Sequence, residues 1–465
     1  MKRFLSSLFA NYIRKRIKSW SAEPEKAQQD TFEYLLKKAK GTVFGQDHDF
    51  NSIQTYEDFK QRVPVRDYEE LRPYLDRVSS GERDITWPGT AEILCKTSGT
   101  TSGAKFIPLT KESIPTHING ARNALLNYIA VSGKTAFVKK KMIFLQGSPE
   151  LESKGKVPYG RLSGIVANFV PQYLQKNRVP SYEVNCIADW ETKLEAIIQE
   201  TLPLKMGLIS GIPSWVQMYF ERILEKTGKA NIAEVFPDFE LFVFGGVNFE
   251  PYKNRFNRLI GKEVASLELY PASEGFIAFQ DSWKEPGLLL NLDAGIFYEF
   301  IPVNEFDNEN PTRLALWEVE VGVNYVIILN TNAGLWGYNI GDTVKFVSTK
   351  PYRLIVSGRV KHYTSAFGEH VIAEEVETAM KAAVEETGIE VVEFTVSPQL
   401  SPKEGLPYHE WMVEFSKPGL KLEAFSKILD EVLQQQNPYY KDLISGSILR
   451  PAVVTQVRTG AFIDL

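Results

Sequence analysis

The chain has only two cysteines in 465 residues, Cys95 and Cys186, and neither stands in a CxxC or Cys/His spacing. That excludes a disulfide framework and a structural zinc site, and it sets a reducing, cytoplasmic setting as the expectation. Histidine is nearly as scarce: His48, His117, His362, His370 and His409 are scattered, and no HExxH occurs. A GxGxxG fingerprint and the P-loop of nucleotide triphosphatases are also missing, which excludes those two phosphate sites. Positive charge is not in excess, with 53 Lys and Arg against 58 Asp and Glu and a net charge of −5. No broad basic surface for nucleic acid is expected from that balance. No stretch approaches the roughly 20 apolar residues of a membrane span.

Hydrophobic residues at 43% and aromatics at 12% suffice for a large core. At this length one core is not expected to hold the chain, and two or three domains are. Met1 to Ile17 places Phe4, Leu5, Leu8, Phe9, Tyr12, Ile13 and Ile17 at helical spacing, with Arg14, Lys15, Arg16 and Lys18 among and after them. This predicts an amphipathic helix packed on its own domain, with membrane-surface binding as the lesser alternative, rather than a signal peptide. Helices and loops continue to Trp87-Pro88-Gly89-Thr90, and Pro73 is expected to break or kink the helix carrying Tyr68, Leu71, Leu75 and Val78.

Beyond that point short apolar runs alternate with longer amphipathic ones. Strands are predicted at Lys141–Leu145, Leu241–Phe244, Val264–Leu269 and Tyr325–Leu329, and helices at Trp190–Thr201 and Trp215–Thr227. Such alternation indicates an α/β domain with a largely buried sheet. From residue 353 the predicted order is β, α, β, β, α, β: Arg353–Ser357, Ala373–Thr387, Val391–Val396, His409–Phe415, Leu422–Gln436 and Pro451–Val457. The expected class is therefore α/β, with a large domain over residues 1–357, a smaller α+β domain over 358–465, and a hinge near 358–361. Oligomeric state leaves no signature.

The densest chemical signal is Cys95-Lys96-Thr97-Ser98-Gly99-Thr100-Thr101-Ser102-Gly103-Ala104-Lys105. Glycines let backbone N–H groups approach a phosphate, hydroxyls donate to its oxygens, and a lysine offsets its charge. A polar surface loop has the same composition, so both readings stand at this point. Tyr270-Pro271-Ala272-Ser273-Glu274-Gly275 follows a predicted strand, where α/β sheets bind ligands. Glu274 there could hold Mg²⁺ and Tyr270 could flank a base, or the segment is an ordinary turn. Gly337-Tyr338-Asn339-Ile340-Gly341-Asp342 offers a carboxylate for ribose hydroxyls, or is another plain turn.

In this order the three segments resemble the motifs of the adenylate-forming superfamily, and most closely its Gretchen Hagen branch, the auxin-responsive-promoter-type acyl-acid–amido synthetases. Ser98 to Pro108 is similar to the first motif, Tyr270 to Gly275 to the second and Tyr338 to Asp342 to the third. Phe244 to Tyr252, Phe297 to Pro302 and the hinge-like Gly358-Arg359-Val360-Lys361 extend the likeness, as do Phe367-Gly368-Glu369 and Glu374-Glu375-Val376-Glu377. It runs from about residue 30 to the end of the sequence.

The resemblance implies an adenylate-forming fold with a mobile small domain, ATP and Mg²⁺ as cofactors, and a small carboxylic acid and an amino acid as substrates. Ser98, Gly99, Thr100, Thr101, Ser102, Gly103 and the catalytic Lys105 would surround the phosphates. Gly246, Tyr270, Ala272 and Ser273 would line the adenine site. Glu274 would be catalytic through the metal, and Asp342 would hold the ribose. Arg359 and the pivot Lys361 complete the nucleotide set. The implied reaction forms an acyl-adenylate and then an amide; an acyl-CoA-type ligase and a nucleotide-binding protein without catalysis are the alternatives. Superfamily members usually carry a lysine near the end of the small domain. In this branch the chain runs on past the segment matched by Thr459-Gly460-Ala461-Phe462, whereas this sequence stops at Leu465. The expectation is therefore either a longer natural chain or an adenylation step that is impaired or relies on another group. His117, on the helix after the first motif, is expected to be structural, and Cys95 a buried thiol.

Overall fold

The computed structural model describes residues 2–100, 103–169, 175–246, 249–306, 308–360, 363–364, 366–369, 371–417 and 422–462. Its centre is a twelve-stranded mixed sheet. At one side, Arg178–Val179, Lys141–Phe144, Met206–Ser210, Leu241–Gly245 and Ala265–Ala272 lie parallel in that order. Helices Trp190–Thr201, Pro213–Thr227 and Glu250–Ile260 precede the last three of these strands in turn. Met206–Ser210 and Leu241–Gly245 are largely apolar because both their faces are covered. Leu208, Leu241, Val243 and Leu267 face helices Lys2–Ala22 and Ser113–Ser132, while Ile209, Phe242 and Phe244 pack on the other side.

From Ala265–Ala272 onward the sheet becomes antiparallel. It passes through Gly275–Phe279, Leu288–Leu290, Tyr352–Arg359, Tyr338–Thr349, Asn324–Thr331, Ile296–Pro302 and Leu314–Ala315. A separate sheet orders Gly103–Leu109, Ile93–Thr100, Val157–Gly160 and Glu152–Lys154. The α/β class expected from the alternation is the observed one.

Three local expectations need correction. Helix Tyr68–Ser79 runs through Pro73. Asp67 caps its first turn, accepting from the Glu69 and Glu70 amides at 3.0 and 3.2 Å. Tyr68, Leu71, Leu75 and Val78 are buried along one face, which outweighs the one backbone bond that proline removes. The strand expected at Arg353–Ser357 is Tyr352–Arg359 and belongs to the large sheet, where Gly358 and Arg359 pair with Thr343 and Asp342. After the short antiparallel pair Tyr363–Thr364 and Val371–Ile372, the C-terminal segment has helix Ala373–Thr387, strands Val391–Gln399 and Tyr408–Phe415, helices Glu423–Gln436 and Pro438–Ser445, and strand Val453–Gln456. The order β, α, β, β, α, β therefore loses its first strand and gains a helix, which Pro438 opens at its first position. Third, the segment Gly337 to Asp342 is not a turn: Tyr338 already opens strand Tyr338–Thr349. The N-terminal helix forms and packs on the body as expected, through Ala10, Ile13 and Ile17, while Leu8, Phe9 and Tyr12 stay exposed.

The apolar core of the C-terminal segment, with Trp411, Phe425 and Leu429, runs without a break into the core beneath Pro213–Thr227. The segment is docked on the sheet. No helix among the described residues is long and apolar enough to cross a membrane.

Candidate active site

The first motif is a hairpin. Ile93–Thr100 pairs with Gly103–Leu109, setting Thr97 opposite Lys105 and Thr100 opposite Gly103. Gly99 and Gly103 thus lie on the two arms next to the tip. Thr101 and Ser102 lie outside the described residues, as do the side chains of Ser98 and Thr100. The Lys105 ammonium stands 5.9 Å from the centre of the Tyr68 ring, and the Tyr68 hydroxyl accepts from the Phe106 amide at 3.0 Å. Helix Tyr68–Ser79 thereby holds the lysine arm in place.

The second motif is also a hairpin. Ala272 ends its strand opposite Gly275, leaving Ser273 and Glu274 as the two-residue turn. The segment is thus a tight turn at the strand end, and the next strand returns immediately. Cys95 is buried and donates to the Ser273 hydroxyl at 3.1 Å, which ties the first hairpin to the second. Burial pushes its thiol up to about 12, so it remains protonated and is no nucleophile at neutral pH.

The third motif supplies the convergence point. Asp342 is buried, and its Oδ2 accepts from the Tyr270 hydroxyl at 2.5 Å while its Oδ1 meets the Arg359 guanidinium at 2.6 Å. Three strands separate the strands of Tyr270 and Asp342 in the sheet order. In a flat sheet that separation would be roughly 19 Å, so the sheet must curl there to bring these side chains together. Gly341, at φ +85°, supplies one backbone kink just before Asp342. Burial and the Asp342 charge hold the Tyr270 phenol well above its usual range.

Glu274 is half-buried at the turn. Burial raises its carboxyl above the usual range, the Lys105 charge works in the opposite direction, and Asp342 and Arg359 act more weakly. The buried Tyr338 hydroxyl faces this carboxylate without reaching hydrogen-bond geometry. A carboxylate near a lysine, with an unsatisfied buried hydroxyl beside it, suits Mg²⁺, which takes one or two protein carboxylates and fills its shell from phosphate and water. Among the described residues no three His, Cys, Asp or Glu side chains gather as a self-sufficient metal cage.

Not every predicted residue joins this cluster. Gly246 is exposed at φ +85°, just after the strand Leu241–Gly245. Gly245 beside it has no room for a side chain, since a Cβ would sit 2.4 Å from the Leu269 carbonyl oxygen. Lys361, His362 and His370 lie outside the described residues. His117 is buried in helix Ser113–Ser132 with neither ring nitrogen hydrogen-bonded, and burial lowers it to about 4. It remains a neutral core side chain. His409 contacts Glu369 at 2.8 Å inside the C-terminal segment.

A cavity of about 980 Å³ opens beside the first hairpin, between it and the C-terminal segment. Lys96, Arg161, Trp190, Lys193, Tyr439 and Asp442 are among its walls. Arg161 stacks on the Tyr439 ring at 4.4 Å, and Lys193 donates to the carbonyls of Gln146 and Asn185 at 3.1 and 2.8 Å. Burial lowers the Lys193 ammonium to about 8. None of these residues carries a local motif, and only the packing of distant segments brings them together.

Three domain models of one family fall along the sequence in order. The GH3 family N-terminal domain matches residues 13–197, the central domain 289–359 and the C-terminal domain 374–465. The chain belongs to the GH3 family. The first model starts earlier than the likeness read from the motifs, and takes in the second half of the N-terminal helix. Among GH3 relatives, the jasmonoyl–L-amino acid synthetase JAR4 of Nicotiana attenuata is 24% identical over 388 residues, 69% of this chain and 66% of that protein. The indole-3-acetic acid-amido synthetase GH3.4 of Arabidopsis thaliana is 22% identical over 97% of this chain and 87% of its own. In fold the chain is similar to the GH3.15 acyl acid amido synthetase, with a TM-score of 0.66 at 15% identity over 97% of this chain and 89% of that one. It is also similar to a 2-hydroxyisobutyryl-CoA ligase in a postadenylation state, with a TM-score of 0.52 at 14% identity over 95% and 87% of the two chains. The fold is thus shared with a GH3 amido synthetase structure and a CoA ligase structure alike.

Proposed function

We propose that this GH3 chain is an ATP-dependent acyl-acid–amido synthetase, which adenylates a small carboxylic acid and transfers the acyl group to an amino-acid amine. The observation that carries this reading is the convergence of Tyr270, Asp342 and Arg359 beside Glu274 and Lys105, next to a hairpin whose Thr97 and Ala104 line a large cavity. The names of its GH3 relatives support the same acid-to-amine chemistry.

In this reading the acid's carboxylate attacks the α-phosphorus of ATP, pyrophosphate leaves, and an acyl-adenylate forms. The amine then attacks the acyl carbon and AMP leaves. Crowded negative charge opposes the first step. Lys105 offsets it at the hairpin, the backbone amides around Gly99 and Gly103 give fixed donors, and Glu274 would hold Mg²⁺, which supplies Lewis-acid charge. Asp342 accepts from the ribose hydroxyls once the half-exposed Arg359 yields one of its oxygens. The cavity carries both signs, as an amino acid's ammonium and carboxylate require. The residues after strand Tyr352–Arg359 act as the small domain, pivoting at Lys361, and their docked position excludes water from the adenylate.

Pyrophosphate release measured over a panel of acids and amino acids tests the whole reading. A first release that needs only the acid, continued turnover that needs the amine as well, and amide as product are the expected result. Acid-dependent release with thioester formed from CoA would assign an acyl-CoA ligase instead, and ATP binding without release would assign a nucleotide-binding protein. For the ribose, Asp342→Ala should weaken ATP binding roughly 10- to 100-fold, the loss of a hydrogen-bonded charged acceptor. Calorimetric titration with ATP checks it, and unchanged affinity would remove Asp342 from the site.

A further inference from the structure

Helix Lys2–Ala22 presents two apolar sides. One is buried: Ala10, Ile13 and Ile17 pack with Tyr128 and Phe137. The other shows Leu8, Phe9 and Tyr12 to solvent at 53%, 43% and 55% exposure. At about 100° per residue these three side chains fall within roughly 100° of one another on the helix. Phe9 and Tyr12 stack, with ring centres 6.2 Å apart. Lys15 and Lys18 continue the same side toward the helix end and are exposed. Arg16 pairs with Asp293 at 2.7 Å and Arg14 donates to the Ala130 carbonyl at 3.2 Å, so these two arginines fasten the helix to the body.

The charge is one-sided. Lys2, Arg3, Arg14, Lys15, Arg16 and Lys18 precede the first acidic residue, Glu23, in a chain whose net charge is −5. A helix that only closes a core would carry polar residues on its outer side. Exposed aromatics flanked by lysines, with no carboxylate on the helix, match the interfacial pattern in which rings enter the headgroup boundary and ammonium groups meet lipid phosphates.

We propose that the outer side of helix Lys2–Ala22 docks the folded enzyme on an anionic lipid bilayer, with Leu8, Phe9 and Tyr12 inserted and Lys15 and Lys18 on the headgroups. The helix lies along the surface, consistent with the absence of a membrane-crossing helix among the described residues. This docking does not depend on the reaction proposed for the chain.

Co-sedimentation of the full chain with phosphatidylcholine vesicles, with and without phosphatidylglycerol, tests it. The chain should pellet with the anionic vesicles and be released by high salt. A Leu8→Ser/Phe9→Ser/Tyr12→Ser variant and a Lys15→Glu/Lys18→Glu variant should each lower the partition coefficient on the order of tenfold or more. Because these side chains are exposed, circular dichroism and ligation activity should be unchanged; if the triple variant fails to fold, the charge variant still decides. Absence of binding by the unmodified chain, or binding that neither variant weakens, overturns the proposal. Self-association in sedimentation velocity that the triple variant abolishes, without vesicle binding, would assign the surface to a second copy and overturn it as well.

Discussion

A Glu274→Gln variant should release pyrophosphate on the order of 10²- to 10³-fold more slowly at saturating substrates, the scale expected when a preorganised charge at the reacting phosphate is lost. Glutamine keeps the shape of the turn between Ala272 and Gly275, so the change falls on charge alone. Lys105 loses its nearest compensating carboxylate, and the place for Mg²⁺ loses its anionic oxygen. A Mg²⁺ titration of turnover should shift to higher concentration by more than tenfold, and normal turnover at low Mg²⁺ would remove Glu274 from the mechanism. The effect on folding has the opposite sign. The folded Glu274 carboxyl is held above its unfolded value, so around and above that range the folded state binds more protons than the unfolded one. Stability contributed by this group is therefore present at acid pH and lost as pH rises through the folded value. At neutral pH glutamine relieves that cost, and Glu274→Gln should melt no lower than the parent. Such a trade of stability for activity is characteristic of a working site.

The sequence disclosed more of the chemistry than of its assembly. The parallel half of the sheet was partly readable: Leu241–Gly245 is an apolar run buried along most of its length and helix Trp190–Thr201 carries plain amphipathic periodicity, whereas the equally buried Met206–Ser210, with Gly207 and Ser210 diluting its apolar run, was not. The antiparallel half was harder. Tyr338 to Asp342 reads as a turn because of its glycines, yet its backbone pairs with Asn324–Thr331, and pairing is a property of the partner strand. The break expected at Pro73 failed for a similar reason, since a cap at Asp67 and tertiary burial outweigh one lost hydrogen bond. At the site, Lys105, Glu274 and Asp342 were each visible through motif order. Their mutual arrangement was not, because the Tyr270–Asp342 contact spans 72 positions and depends on the curl of the sheet. Arg161, Lys193 and Tyr439 were invisible, being ordinary residues that meet only across the cavity. Phe297 to Pro302 had a motif-like look without an obvious task, and here the structure supplies one.

That task is structural, and it leads to the largest stability effect expected in the molecule: Glu299→Ala should cost about 3–5 kcal/mol of folding free energy. Glu299 is fully buried on the strand Ile296–Pro302. Its Oε1 accepts from Arg313 Nε and Nη2 at 3.0 and 2.7 Å and from the Tyr56 hydroxyl at 2.9 Å. Its Oε2 accepts from Arg313 Nη2 at 2.9 Å and Asn330 Nδ2 at 2.8 Å. The guanidinium is itself buried and reaches the Lys60 carbonyl at 3.2 Å, so one carboxylate gathers residues from several distant segments. Removing the carboxylate leaves Arg313 as an uncompensated buried charge and orphans the donors of Tyr56 and Asn330, each of which costs its own desolvation. Removing both charges at once avoids that penalty. Glu299→Leu with Arg313→Met should therefore recover most of the loss, since well-packed apolar pairs often match a buried ion pair. Urea denaturation of the parent, single and double variants measures both parts. A single variant within about 1 kcal/mol of the parent would show that water reaches the Arg313 guanidinium, and the buried network would then not be what holds Tyr56 and Asn330 to this strand.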